Sequence, residues 1–447
     1  MTKPGVQAKF LEGSLFRHVA VMSLTSSVGL MAVFSVDLVN MVFIAMLGRA
    51  ELAAAIGYAG VILFFTTSFG IGLSIAVSAL VSQAVGARDM AGARQKATHG
   101  LLLGFGFGVV FAALVWVFLS PLVSLLGAVG ETHDLTVHFL SIIIPSQPLL
   151  MVGMIGGAIL RSHGDARRAM MATIWGAVVN AILDPILIFG FGWDLTGAAI
   201  ASVASRMVIA GVALLPIIKH HGGFDRPSVD GVKQDLRPIL AIGFPAILTQ
   251  VATPVGQAFV TRAMASYGEA AVAGMAIAGR LTPVAFGVIF ALTGAIGPII
   301  GQNFGAGRMD RVRRAFLDAL IFTALVSVVV SALMFVLRAP IADLFHAEGL
   351  TRELVYLFCG PLTLAFFFNG VIFVANAACN NLGRPFLPTL VNWGRHTLGT
   401  VPFVIWLGAV YGAPGVLWGQ ALGGVIFAAL SYGLALQAIG APKVGQR

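Results

Sequence analysis

The chain has 447 residues, 58% of them hydrophobic and only 10% charged, with a net charge of +9. Soluble domains carry about a quarter charged residues, so this composition excludes a soluble enzyme or nucleic-acid-binding protein and describes a polypeptide dissolved in lipid. The two cysteines, Cys359 and Cys379, lie in apolar stretches without a His or Cys cluster, which offers neither a disulfide framework nor a metal site.

The first residues, "MTKPGVQAKFLEGSLFRHVA", lack the short apolar core and small-residue cleavage pattern of a removed signal. Beyond them, apolar segments predict twelve membrane-spanning helices, at 15–47, 51–82, 97–119, 132–160, 169–191, 195–218, 238–266, 270–302, 313–338, 350–379, 386–410 and 413–438. Several exceed the roughly 20 residues needed to cross, so their ends reach into water or the helices tilt. Of the 27 Lys and Arg, twenty fall at the termini and in even-numbered loops, and four in odd-numbered loops: Arg49, Arg262, Arg338 and Arg352. The positive-inside rule therefore puts both termini in the cytoplasm of a multi-pass inner (plasma) membrane protein, which an even number of spans allows.

The halves repeat. "SQAVGARDMAGARQKA" (82–97) resembles "GQNFGAGRMDRVRRA" (301–315), Gly164 corresponds to Gly383, Trp175-Gly176 to Trp393-Gly394, and Gly48 to Gly268, all at shifts of about 219 residues. The expected fold is an all-α integral membrane protein with two six-helix lobes, 1–218 and 238–447, joined by a cytoplasmic linker at 219–237 and related by a parallel pseudo-two-fold repeat. Duplicated lobes of this kind are the architecture of an alternating-access carrier, whereas a channel or membrane enzyme is the alternative. No Gly-x4-Gly-Lys-Ser/Thr phosphate loop is present for direct ATP drive, no cofactor is expected, and the partners expected of a monomeric carrier are the bilayer and a small organic substrate.

Charged groups at the bilayer centre cost about 2.5–3.5 kcal/mol on insertion scales and face a partner or a cavity. Two such acids stand in the first lobe, Asp37 in span 1 and Asp184 in span 5, at similar depths. Asn40 lies three residues after Asp37 and Asn180 four before Asp184, spacings that put side chains on one helix face, and Ser202 of span 6 adds a hydroxyl. Removal from water favours protonation of a carboxyl group, more so beside a second one, so this set suits proton uptake. Its oxygens equally suit sodium, held by Asp37, Asn180 and Asp184. The other reading is structural, with Asp184 paired to the intramembrane Arg206. Asp318, by contrast, lies close to cytoplasmic Arg313 and Arg314 and is expected to reach them. The second lobe lacks the acids: shifted by the repeat, Asp37 falls on Gly256 or Gln257 and Asp184 on Pro402. It holds Arg280 and Arg395 with Gln250, Gln257, Asn369 and Asn376 instead, the candidate substrate-cavity residues. Pro185 is expected to loosen span 5 beside its acid, and Gly100, Gly104 and Gly108 to form a helix-packing face.

At these residues the chain resembles the multidrug and toxic compound extrusion (MATE) family along its full length. The segments carrying the resemblance are "VDLVNMVFIAMLG", the paired "SQAVGAR" and "GQNFGAGR" loops, "LRSHGDARRAM", "NAILDPILIFG" and "GAAIASVAS". The resemblance implies export of organic molecules in exchange for protons or sodium ions, with coupling residues at Asp37, Asn180 and Asp184 and Ser202 where threonine is commoner. Span 1 lacks the proline frequent in the family, leaving Ser26, Ser27 and Gly29 to soften it, and span 7 lacks the glutamate of one sodium-coupled branch. The expected function is a proton- or sodium-coupled antiporter for amphipathic compounds. The alternative is a flippase for a lipid-linked or anionic molecule, suggested by the purely positive second lobe.

Overall fold

The computed structural model describes residues 8–440, which are helical almost throughout; no strand occurs among them. Span 1 is Leu15–Met46, span 2 Ala50–Gly86, span 3 Met90–Val117, span 4 Gly130–Ser162, span 5 Ala166–Gly190 and span 6 Asp194–His220. Span 7 is Val229–Ala265, span 8 Glu269–Gly305, span 9 Met309–Leu344 and span 10 Gly349–Asn381. Span 7 begins inside the expected linker, where Asp235 of its first turns accepts from His99 of span 3 at 2.6 Å. A short helix unforeseen in the sequence, Leu119–Leu125, follows span 3.

The remaining apolar stretch, Phe386–Gly440, is long enough for two crossings, and its glycines show that it makes them. Gly412 breaks it with φ 66° and ψ −147°. A Cβ added to Gly415 would lie 1.9 Å from the Leu407 carbonyl oxygen, one on Gly419 2.6 Å from that of Phe403, and one on Gly423 1.7 Å from that of Gly399. Each step of four residues forward on one arm meets a step of four back on the other, the signature of an antiparallel pair in small-residue contact. Span 11 therefore runs from Phe386 to Tyr411 and span 12 from Ala413 to Gly440, completing the twelve.

The repeated loop sequences have a common physical cause. Gly164 and Gly383 adopt φ 78° and 75°, and the next residue's N–H turns back to close the preceding helix, Asp165 to the Leu160 carbonyl and Arg384 to that of Cys379, both at 2.9 Å. A left-handed residue is what this helix ending requires, and glycine adopts it without strain. "GQNFGAGR" does more than turn: Gln302 Oε1 accepts from the Phe10 N–H at 3.0 Å, and Asn303 Nδ2 donates to the Phe10 carbonyl at 3.2 Å.

By packing, the chain divides into two units, one built on Val28–Gly243 and the other on Phe10–Ser27 with the chain from Phe244 onward. Span 1 is one unbroken helix, yet its first half clusters with the second unit and its Asp37-bearing half with the first. In the first unit one core joins Leu52, Ile62, Leu140 and Ile188, and another joins Val77, Ile155, Ile159 and Ile239. The proposed packing face of span 3 is real: a Cβ on Gly100 would strike Val77, and one on Gly104 would strike Ile155.

Candidate functional site

Span 5 is held against span 6 by the removal of side chains. A Cβ on Gly176 would lie 2.3 Å from Ile209, and Ser205 Oγ donates to the Gly176 carbonyl at 2.8 Å. Span 1 meets span 5 by the same means, since a Cβ on Gly29 would lie 2.2 Å from Thr173 Oγ1; towards their other ends Phe43 meets Phe189 edge-on with ring centroids 5.6 Å apart. Gly29 thus serves as a contact point between the two helices. Between these two contacts lie the acids.

Asp184 is wholly buried and Asn180 is 6% exposed. Asn180 Nδ2 donates to Asp184 Oδ2 at 2.6 Å, so the spacing of four residues does pair them. Asn40 stands close enough to interact with the same carboxylate, and Asp37, which is exposed, close enough to repel it. Two oxygens are left over: Asp184 Oδ1 and Asn40 Oδ1 are buried with no hydrogen-bond donor. An unpaired buried carboxylate oxygen is costly, and a proton or a hard cation on these oxygens removes the cost. Pro185 follows immediately, and Ile186–Gly190 opens into a wide turn closed by the Phe191 N–H on the Ile186 carbonyl at 3.0 Å. Such widened turns accumulate at functional positions. Ser202 is half-buried on span 6 and is not among the groups that act on Asp184.

Arg206 is occupied elsewhere. Its guanidinium donates to the Ile143 carbonyl at 3.1 Å, Ser146 Oγ at 2.9 Å and Gln147 Oε1 at 3.1 Å. These groups surround the break in span 4, Ile144–Ser146, where Pro145 removes a backbone donor. The carbonyl four residues before that proline, Ser141, is taken by Trp116 Nε1 at 3.1 Å. Arg206 and Trp116 therefore satisfy a broken helix, as the membrane interior demands. Among the described residues, no ion pair includes Asp37 or Asp184. Asp318 does pair as expected, with Arg314 at 2.9 Å.

In the second unit, Arg395 of span 11 donates to Asn369 Oδ1 of span 10, and Gln420 of span 12 donates to Gln257 Oε1 of span 7 at 3.2 Å. Asn376 lies two turns along from Asn369 and has a buried Oδ1 without a donor. Arg280 is exposed on span 8 and Gln250 half-buried on span 7; nothing ties either to the others. His396, not singled out in the sequence, is 6% exposed and both its ring nitrogens lack partners. The adjacent Arg395 was the available signal for it.

A charged cluster lies in the connection between spans 4 and 5. Asp165, between spans 4 and 5, accepts from Arg168 at 2.5 Å and from His221 at 3.1 Å. Burial works against its charge, but these hydrogen bonds outweigh it and hold the carboxyl well below the usual carboxylate range. Beside it His163 packs against His221, with ring centroids 4.7 Å apart and the planes tilted by 37°. Burial pushes the His163 imidazole down to about 4.

The MatE family model matches residues 26–186 and again 245–406, one copy per half. The chain is 30% identical over 416 residues to a FAD transporter of Shewanella oneidensis, covering 91% of each chain. It is 24% identical over 412 residues to the multidrug export protein MepA of Staphylococcus haemolyticus, covering 92% of this chain and 90% of that one. Its fold superposes with a TM-score of 0.90 on the Vibrio cholerae MATE transporter VcmN, at 25% identity and covering 95% and 97% of the two chains. With twelve apolar helices, a duplicated architecture and a family match in both halves, the chain belongs to the MATE family of secondary membrane transporters.

Proposed function

We propose that this transporter is a cation-coupled antiporter that exports amphipathic organic compounds by alternating access, with Asp37, Asn40, Asn180 and Asp184 as the ion site. The observation that carries this reading is the pair of donorless oxygens, Asp184 Oδ1 and Asn40 Oδ1, beside a second carboxylate with no basic partner among the described residues. A proton entering from outside neutralises one carboxylate and ends the repulsion between Asp37 and Asp184. A sodium ion achieves the same by bridging the oxygens of both helices. Either event changes what spans 1 and 5 gain by staying together, which is the lever an exchanger needs. The multidrug export relative supports an organic substrate. The protein acts as a monomer in the inner membrane with both termini cytoplasmic.

The test is efflux of a substrate panel from proteoliposomes under separately imposed pH and sodium gradients, with wild type, Asp37→Asn and Asp184→Asn. Gradient-driven efflux should be lost in both variants, and the gradient that drives wild type names the ion. Wild-type rates in both variants would end the coupling proposal. A second reading, a flippase for a lipid-linked or anionic molecule, is favoured by the intramembrane arginines that lack carboxylate partners. Resistance profiling separates the two: loss of the gene exposes cells to toxic dyes under the first and damages the envelope under the second.

A further inference from the structure

The repeat makes spans 7 and 11 the counterparts of spans 1 and 5. The positions that hold Asp37 and Asp184 in the first lobe hold Gly256 or Gln257 and Pro402 in the second. Arg395 and His396 stand about two turns before Pro402, at the point where span 11 is interrupted. Helical structure ends at His396 and resumes at Val401. The carbonyls freed there are consumed locally: that of Trp393 by Thr397 through both its N–H and its hydroxyl, at 2.9 and 2.7 Å, and that of Arg395 by Thr400 Oγ1 at 2.9 Å. The negative end of the broken helix is thereby capped, and the side chains beside it carry the character of the site.

That character is positive and incomplete. Arg395 is held by Asn369, a neutral partner, and among the described residues no carboxylate pairs with it. His396 lies next to it with both nitrogens unpaired, packed into space that exists only because residue 256 is glycine: a Cβ there would lie 2.1 Å from His396 Nδ1. Gln257, the neighbour of that glycine, is exposed and tied to Gln420. A guanidinium inside a membrane span must be satisfied by partners or open onto a water-filled cavity; Arg206 finds three acceptors, whereas among the described residues Arg395 donates to Asn369 Oδ1 alone, and interrupted helices are where carriers bind their cargo. A planar guanidinium beside an imidazole matches a carboxylate or phosphate group.

We infer that Arg395 and His396, with Asn369 and the Gly256–Gln257 turn of span 7, form a subsite for the anionic group of an exported organic anion. This rests on the antiporter reading and deepens it. The first lobe takes the coupling cation, and the corresponding helix pair of the second lobe, with its charge inverted, takes the phosphate or carboxylate of the cargo.

The experiment is equilibrium binding to the purified full-length protein in detergent, with no gradient applied. The probes are FMN and carboxyfluorescein as phosphate and carboxylate, riboflavin as the uncharged form of the same ring as FMN, and ethidium as a cation. Wild type should bind FMN at least about tenfold more tightly than riboflavin, the worth of one charge-assisted contact. Arg395→Gln should abolish that preference while leaving riboflavin binding in place, and Arg395→Lys, which keeps the charge, should retain most of it. Retained riboflavin binding and the lysine variant together separate loss of the subsite from loss of the fold. If wild type binds riboflavin or ethidium as tightly as FMN and carboxyfluorescein, or if Arg395→Gln keeps the preference, the subsite is wrong. Because binding is read without a gradient, the subsite can fail while the Asp37 and Asp184 coupling test succeeds, and the reverse.

Discussion

Adjacent glycines in span 12 make opposite predictions. Gly423 faces the turn of span 11 that follows His396, and Gly424 faces open space: a Cβ at Gly423 would lie 1.7 Å from the Gly399 carbonyl oxygen and 2.3 Å from its carbon, whereas one at Gly424 meets nothing within 4 Å. The obstacle at Gly423 is backbone, so no rotamer change relieves it, and the two helices must separate by about 1.5 Å to restore ordinary contact. Overpacking of this kind costs about 1–3 kcal/mol, and Gly423→Ala should fall at the upper end. Gly424→Ala should be neutral or stabilising, by up to about 1 kcal/mol from helix propensity. The assay is thermal unfolding in detergent followed by size-exclusion monodispersity. Gly423→Ala should melt about 3 °C below wild type, with Gly424→Ala at or above it. Indistinguishable melting of the two variants would refute the antiparallel packing of spans 11 and 12.

Gly256→Ala should displace His396 and weaken FMN binding severalfold without lowering riboflavin binding, measured as for Arg395. Arg206→Met should strip three acceptors of their donor at the span 4 break, costing about 2–4 kcal/mol of stability. The surviving folded protein should still couple to its gradient, which a salt-bridge role toward Asp184 would not permit. Asn180→Leu should abolish gradient-driven efflux, because it removes the donor 2.6 Å from Asp184 Oδ2. His163 supplies a pH test. Its imidazole is held near 4 by burial against an ordinary value of 6.5, so between those values the unfolded chain binds a proton that the folded chain refuses. Stability is therefore lost as pH falls through that window, by about 3 kcal/mol. His163→Gln should flatten the fall in melting temperature between pH 6.5 and 4.5.

The lipid-dissolved class, the twelve spans and the repeat follow from the sequence because each rests on local chemistry: apolar length against bilayer thickness, basic loops against the membrane, and glycine where a helix must end left-handed. The pairing of Asn180 with Asp184 was equally legible, since a four-residue spacing on a helix fixes neighbours whatever the tertiary fold. Contacts between helices were not. A pairing of Arg206 with Asp184 was the alternative reading, in a chain containing few intramembrane charges. Only the packed structure revealed that the break at Pro145 had carbonyls to satisfy and that Arg206 reaches them. The same holds for Gly29, whose contact with Thr173 no pattern in span 1 announces. His396 was invisible for the same reason, because a histidine in an apolar run says nothing until the absent side chain of Gly256 and the missing partners of its nitrogens are seen. Hydropathy and spacing are properties of one helix at a time. Whether a polar atom inside a membrane is satisfied depends on what the neighbouring helices bring to it, and that only the tertiary structure decides.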